Sequence, residues 1–340
     1  KPIKVSHPMI LQGKETTEVR ELVAGDIGVI AKVDELVFDS VIHASHEHDN
    51  IKMKPLSFPK PMFGLAISPA RRGDEGRLSD ILHKLLSEDP TLELEHDTTL
   101  NETVLRGLSA QHLRSVLERM AAQFKLEVNT RTPRIPYLET IAQGAEGHAR
   151  HKKQTGGAGQ FGEVYLRIEP RERGAGFEFV DEVKGGAIPY NFIPAVEKGV
   201  RDALDTGYVA GYPIHDVRVV VYDGKSHPVD SKEVAFVSAG RKAMLDALSK
   251  AKPTILEPIV DVEIVAPDSA MGDITGDLAG GMMIISGTVP LSELDGYAAR
   301  LNAITQGAGS YSMELAGYAP VPMQRQVELA SNYHRKDEDE

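Results

Sequence analysis

His148-Ala149-Arg150-His151-Lys152-Lys153-Gln154-Thr155-Gly156-Gly157-Ala158-Gly159-Gln160-Phe161-Gly162 lies near the middle of a 340-residue chain. Its core, Gly157-Ala158-Gly159-Gln160-Phe161-Gly162, matches G-x-G-x-x-G, and Val164 extends the match to the phosphate loop of a kinase. A dinucleotide site needs a strand before such a loop and a helix after it, because the pyrophosphate rests on the helix N-terminus. Here a basic, polar segment precedes the glycines and an alternating strand, Val164-Tyr165-Leu166-Arg167-Ile168, follows them, so the dinucleotide reading fails on context. A kinase would also need a V-A-I-K lysine, an H-R-D loop and D-F-G, and none occurs downstream. What is left is a glycine-rich hairpin tip in cationic company. Arg150, Lys152 and Lys153 supply three fixed positive charges, and His148 and His151 can add more. Glycines let an RNA backbone approach the main-chain N–H groups, while Gln160 can reach base edges or a 2′-hydroxyl.

A second loop, Gly224-Lys225-Ser226-His227-Pro228-Val229-Asp230-Ser231, has the same character and joins a strand to a helix. Asp230 or Ser231 suits the N-cap of that helix. His227 sits at a loop tip, where a core histidine would not.

Outward from these loops the chain divides into small α+β pieces. Residues 1–56 carry short alternating runs, Thr17 to Leu22 and Gly25 to Val33, and read as part of an all-β domain too short to close a barrel. The strand Met62 to Ile67 is followed by Leu78, Ile81, Leu82, Leu85 and Leu86 at helical spacing, with Asp89-Pro90 as the stop. Leu92 to Glu95 and Thr103 to Arg106 alternate as strands. A helix from Ser109 then shows Leu113, Val116, Leu117, Met120 and Phe124 on one face, and Leu126 to Val128 closes the unit. The order is βαββαβ, which puts two helices on one face of a four-stranded antiparallel sheet. It recurs as Ile259 to Val265, a helix around Met271 to Leu278, Met282 to Val289, a helix capped by Ser292, and Tyr311 to Leu315. The connection between its halves is short, so a trimmed hairpin or an omitted loop near Gly280-Gly281 is expected. Between the repeats, strands are expected at Glu163 to Ile168, Phe177 to Glu182 and Val217 to Tyr222. Helices are expected at Phe192 to Leu204 and from Ser231 to Lys250, the latter with Val234, Val237, Met244, Leu245 and Leu248 as its apolar residues.

The net charge of −12 opposes non-specific binding to nucleic acid or an anionic membrane, so any polyanion contact must be local. Without cysteine there is no disulfide or thiolate chemistry, in keeping with a cytoplasmic setting. No apolar run approaches the roughly 18 residues of a membrane span, and no membrane partner is expected. His43, His46, His48 and Asp49 form H-x-x-H-x-H-D, a spacing that is no recognised metal signature, and no metal is expected there. G-x-S-x-G, H-E-x-x-H and the P-loop motif are all missing, so no catalytic residues are expected. Lys1 in place of Met suggests a fragment, and the charged tail at 331–340 a frayed end.

Seven stretches, in order along the chain, resemble the translation elongation factor G family: Glu21 to Ile27, Glu88 to Leu92, Gln154 to Gly157, His227 to Ser231, Lys250 to Pro258, Gly272 to Leu278, and Val289 to Glu293. The resemblance covers the part of the family that follows the GTPase domain. It implies an α+β, multidomain fold: part of a β-barrel domain at 1–56 and a ferredoxin-like third domain at 57–136. A fourth, elongated ribosomal-protein-like α+β domain at 137–257 and a ferredoxin-like fifth domain at 258–330 complete it, with an acidic tail at 331–340. It further implies a monomer whose partners are the ribosome, with its ribosomal RNA, tRNA and mRNA in the decoding site, and a GTPase domain outside this stretch. That domain would hold GTP and Mg, and this stretch would hold no cofactor and hydrolyse nothing. The expected function is GTP-dependent translocation of tRNA and mRNA, with recycling or ribosome protection as the alternative. The fourth domain's two tip loops correspond to Lys152, Lys153, Gln154, Gly156, Gly157, Gly159 and Gln160, and to Lys225, His227, Asp230 and Ser231, which become the expected RNA-binding residues. Where the family has G-G-R-G-Q-Y-G, this chain has Ala158 and Phe161.

Overall fold

The computed structural model describes residues 3, 7–33, 35–43, 45–51, 53–98, 100–153, 159–271, 281–331 and 333. The chain forms two compact units, 1–133 and 134–340. None of the described helices is long and apolar enough to cross a membrane.

The first unit opens with β1 (Met9–Gln12) and β2 (Glu15–Glu18), an antiparallel hairpin. Of the strand expected at 25–33 only a bridge from Val29 to Met9 is seen. Ile27 is 91% exposed, and an alternating run without a face to bury gains little from becoming a strand. No closed barrel is present among the described residues. Next come β3 (Phe63–Pro69), α1 (Glu75–Glu88), β4 (Glu93–Asp97), β5 (Glu102–Gly107), α2 (Ala110–Phe124) and β6 (Val128–Arg131). They form an antiparallel sheet in the order β4-β5-β3-β6, the split βαββαβ arrangement read from the sequence. Leu78, Ile81, Leu82 and Leu85 of α1 meet Leu113, Val116 and Met120 of α2 over Ile67 and Leu105. Ser109 caps α2 by accepting the N–H of His112 at 3.2 Å. The His112 ring lies 2.9 Å from the Asp89 carboxylate, which ties the end of α1 to the start of α2.

The second unit contains β7 (Leu138–Ile141), β8 (Ala145–Lys153), β9 (Gln160–Pro170), β10 (Glu178–Asp181), α3 (Ile193–Thr206), β11 (Val217–Lys225) and α4 (Glu233–Lys250). After them come β12 (Pro253–Pro267), β13 (Met282–Pro290), α5 (Tyr297–Ile304), β14 (Ser310–Pro320) and α6 (Met323–Ser331). One sheet runs β10-β11-β9-β8, with only β10 and β11 parallel, and α3 and α4 pack together beside it. The other has β12 between β13 and β14. β7 pairs with the start of β12 as a fourth strand, so this sheet includes a segment that precedes β8 in the chain. The helix expected around Met271 to Leu278 falls mostly outside the described residues, as does Gly280. Ser292 does not cap a helix: it lies in a 3-10 turn, its hydroxyl bonds to the buried Glu257 at 3.2 Å, and α5 starts after Gly296.

Close approach governs the packing of α4. Ala235, Ala239, Ala243 and Ala247 recur every fourth residue and are fully buried. A methyl group on Gly147 of β8 or on Gly199 of α3 would collide with the α4 backbone. On Gly162 of β9 it would lie 3.1 Å from the Ala235 carbonyl oxygen. Val234, one of the apolar residues of this helix, is 50% exposed, because the seam is built from small residues and the larger ones flank it. Gly147→Ala is expected to lower unfolding stability by about 1–3 kcal/mol through overpacking. Gly287→Ala, whose added methyl meets nothing within 4 Å, should change it by less than about 0.5 kcal/mol. Urea unfolding followed by circular dichroism compares the two.

Candidate nucleic-acid interface

A strand does precede the glycine stretch, which corrects the reading of 148–153 as merely basic and polar. β8 is an edge strand whose inward positions are Ala145, Gly147, Ala149 and His151, too small or polar to register as a strand pattern. The main-chain N–H of His148 donates to Asp246 of α4 at 3.0 Å, fastening the edge. With a strand rather than a helix after the glycines, the hairpin still offers no dinucleotide site.

The β8–β9 register pairs Lys153 with Gln160 and Lys152 with Phe161, so both lysines end exposed at the rim of the hairpin. Gln154, Gly156 and Gly157 lie outside the described residues, with Thr155 and Ala158. Gln160 is held by His151, ring nitrogen to amide oxygen at 3.1 Å. Gly159 faces the second loop so closely that an added Cβ would sit 2.9 Å from Asp230 Cγ.

The second loop leaves β11 at the exposed Lys225 and folds back on itself. Ser231 Oγ accepts the N–H of His227 at 2.8 Å and donates to the Phe161 carbonyl at 3.0 Å. The Phe161 N–H in turn donates to the Asp230 carbonyl at 2.9 Å. Residues 70 positions apart in sequence therefore share a short parallel bridge, Phe161 to Ser231. His227 Nδ1 lies 3.1 Å from the Asp230 N–H and 3.3 Å from that of Val229, so this ring orders the turn as well as facing outward. Neither Asp230 nor Ser231 caps α4, whose N-cap is Lys232 without a side-chain bond; the Ser231 hydroxyl is committed to the hairpin instead.

Two basic side chains of the stretch, His148 and Arg150, are already partnered. His148 Nε2 reaches Glu163 Oε1 at 2.9 Å, and Arg150 grips Glu163 Oε2 through Nε and Nη2, both at 3.1 Å. The Tyr165 hydroxyl adds a bond at 3.2 Å. Burial pushes the Glu163 carboxyl up, but these hydrogen bonds and the guanidinium charge outweigh it and hold the group below the usual range. Sequence inspection had no signal for this pairing, because it depends on the hairpin register.

Glu139 was missed as well. Fully buried, it accepts the N–H groups of Tyr208, Val209 and Ala210 at 2.7–2.8 Å and of Tyr212 at 3.2 Å, anchoring the loop after α3 to β7. In the histidine motif, His43 and His46 each stand 3.4 Å from an Asp49 oxygen. Among the described residues no group of side chains is arranged to hold a metal ion.

Three family models match the chain: "Elongation Factor G, domain III" over 58–132, "Elongation factor G, domain IV" over 133–252 and "Elongation factor G C-terminus" over 277–329. An "Elongation factor G-like protein" from Thermotoga maritima is 38% identical over 346 residues, covering 98% of this chain and 50% of that protein. A crystal structure of a protein from Thermus thermophilus aligns with a TM-score of 0.75 at 34% identity, again over 96% of this chain and 50% of the other. The chain thus spans about half the length of these relatives.

Because the carboxyl of Glu163 is depressed in the folded state, its contribution to stability is complete above the ordinary glutamate pKa of about 4.3. That contribution disappears as pH falls through the lower folded value. Urea midpoints measured from pH 7 downward should therefore fall less steeply below about pH 4.3 in Glu163→Gln than in the parent; parallel curves would contradict the assignment.

Proposed function

The chain belongs to the elongation factor G family, and on that premise we propose that it is the ribosome-engaging part of a cytoplasmic, monomeric translocation GTPase. In this reading the two joined loops enter the decoding site and contact RNA while tRNA and mRNA advance. Residues 57–136, 137–257 and 258–330 act as the third, fourth and fifth domains. GTP and Mg are bound, and GTP hydrolysed, outside the matched domains. The observation that carries the reading is the hydrogen-bonded union of Phe161 with Asp230 and Ser231, which makes one tip of two loops distant in sequence.

The tip offers what RNA needs. Lys152, Lys153 and Lys225 are exposed cations, His227 presents a ring, and Gln160 sits at the hairpin rim. In a chain of net charge −12, such a local cluster supports local contact with phosphate. In composition, Gly156, Gly157 and Gly159 bring backbone N–H groups without side chains and Gln154 brings an amide.

Ala158 and Phe161 favour a second reading. Losing a guanidinium and a phenol at the tip lowers RNA contact, as suits a paralogue acting in recycling or ribosome protection. A translocation assay run beside a subunit-splitting assay separates the two, since only one should respond to the protein. Replacing Lys152, Lys153 and His227 with alanine in the full-length protein should slow its ribosome-dependent activity. The same change should reduce the slope of log affinity against log salt by roughly one to two units. Unchanged activity and slope would sink the tip assignment.

A further inference from the structure

Within the second unit, the sheet that carries the tip and the sheet built on β12 meet at β7. One side of β7 pairs with the start of β12, from Leu138 opposite Leu256 to Ile141 opposite Pro253. On the other side, Glu139 donates its N–H to the Pro213 carbonyl and accepts the N–H of His215, both at 2.8 Å, a parallel bridge to the segment that leads into β11. A strand of four residues is a slender joint between two layers. Bending about it would swing the tip relative to the second sheet.

α6 doubles that joint. Just ahead of the helix, Val321 donates its N–H to the Ile255 carbonyl at 2.9 Å. Within it, Gln326 accepts the Thr254 hydroxyl through its amide oxygen at 2.9 Å, so this end of α6 is fixed to β12. Leu329 packs into a small apolar core with Tyr137, Ile255, Val321 and Tyr212, in which the two tyrosine rings stand 5.2 Å apart at 40°. Beyond the helix, Tyr333 reaches the other layer. Its hydroxyl donates to the Thr206 carbonyl at the end of α3, 127 positions away, at 3.2 Å. Its ring covers Gly211, where an added Cβ would lie 2.5 Å from a ring carbon, and Gly211 takes a φ of +82°, so the loop offers bare backbone to the ring. The same loop is held from β7 by the four N–H groups that Glu139 accepts. It is therefore fastened both to the strand that joins the sheets and to the segment that follows α6. Hinges are places where a few residues absorb a change of φ and ψ; a close-packed crossing resists it.

We propose that α6 and Tyr333 form a strap that locks the two sheets into one stiff lever, so that displacement of the second sheet is delivered to the joined tip loops. The proposal rests on the RNA-facing reading only for what the lever moves; the stiffness stands apart from it.

The test uses the full chain, which has no cysteine, so two introduced cysteines take spin labels at chosen positions alone. Lys198→Cys on α3 and Glu314→Cys on β14 are exposed and lie on either side of the joint. Double electron–electron resonance should give one narrow distance distribution in this labelled parent. Tyr333→Ala removes the ring, and Gly211→Ala pushes it away from the other side; each should broaden the distribution, and a chain ending at Pro322 should broaden it most. Amide exchange at Tyr208, Val209 and Ala210 should be about tenfold faster in Tyr333→Ala, with β9 and α4 unchanged, which separates a released strap from a general loss of fold. A distribution as narrow as the parent's in all three variants overturns the strap, and so does a broad one in the parent. The same variants in the full-length protein then separate the two proposals. Broadening with an unchanged rate of ribosome-dependent translocation leaves the strap standing and counts against the tip as what the lever moves. Unchanged distributions overturn the strap and leave the tip reading untouched.

Discussion

The alanine stripe of α4 sets how closely the β8–β9 hairpin can lie against it, and the placement of the tip follows from that distance. Ala235, Ala239, Ala243 and Ala247 present almost no side chain, and Gly147 and Gly162 present none in return. Backbones that meet this closely leave no room to slide, since interiors are packed to crystal-like density. The same helix is held equally tightly by α3 through Gly199 and Gly240. A long two-stranded arm that would be marginal alone is thereby supported from Ala145 to the start of its loop, where Ser231, just ahead of α4, takes over the contact.

Two buried carboxylates, Glu139 and Glu163, add to this positioning. Glu139 gathers four N–H groups of the loop after α3 and sits on β7, which is itself a strand of the second sheet. The two sheets of this unit therefore share a hydrogen-bonded segment in addition to chain connectivity. Glu163 plays a local part at the hairpin, exchanging burial for bonds to His148, Arg150 and Tyr165. Removing a carboxylate of this kind leaves donors without acceptors, which costs more than the bond it made.

Much of the fold could be read from periodicity. The βαββαβ order of the third-domain region is visible because its helices carry leucines at i, i+3, i+4 and i+7 and its strands alternate, and the stop at Asp89-Pro90 and the cap at Ser109 are local chemistry. The candidate site was legible as two loops for the same reason: glycine, lysine and histidine cluster there. What escaped was whatever depends on smallness or on distant partners. β8 hid because Ala, Gly and Ala line its inner side, and the α4 seam hid because hydrophobic patterns are searched for in large residues. Arg150 and His148 were read as open cations because Glu163, thirteen and fifteen positions further on, becomes their neighbour only through the hairpin register.

By itself, then, the sequence determined the βαββαβ elements of 57–136, the α+β class and the clustering of glycine, lysine and histidine in two loops, since these follow from local spacing and composition, while the family resemblance rested on seven motifs in order along the chain. Only the tertiary structure decided that the two loops are one surface and which of the cations are already matched. The physical reason is that a strand pattern does not encode register. Which side chains stand opposite one another across β8 and β9, and which loop carbonyl meets the Phe161 N–H, is settled by the pairing of the folded hairpin, whose inner face glycine and alanine let lie close against α4.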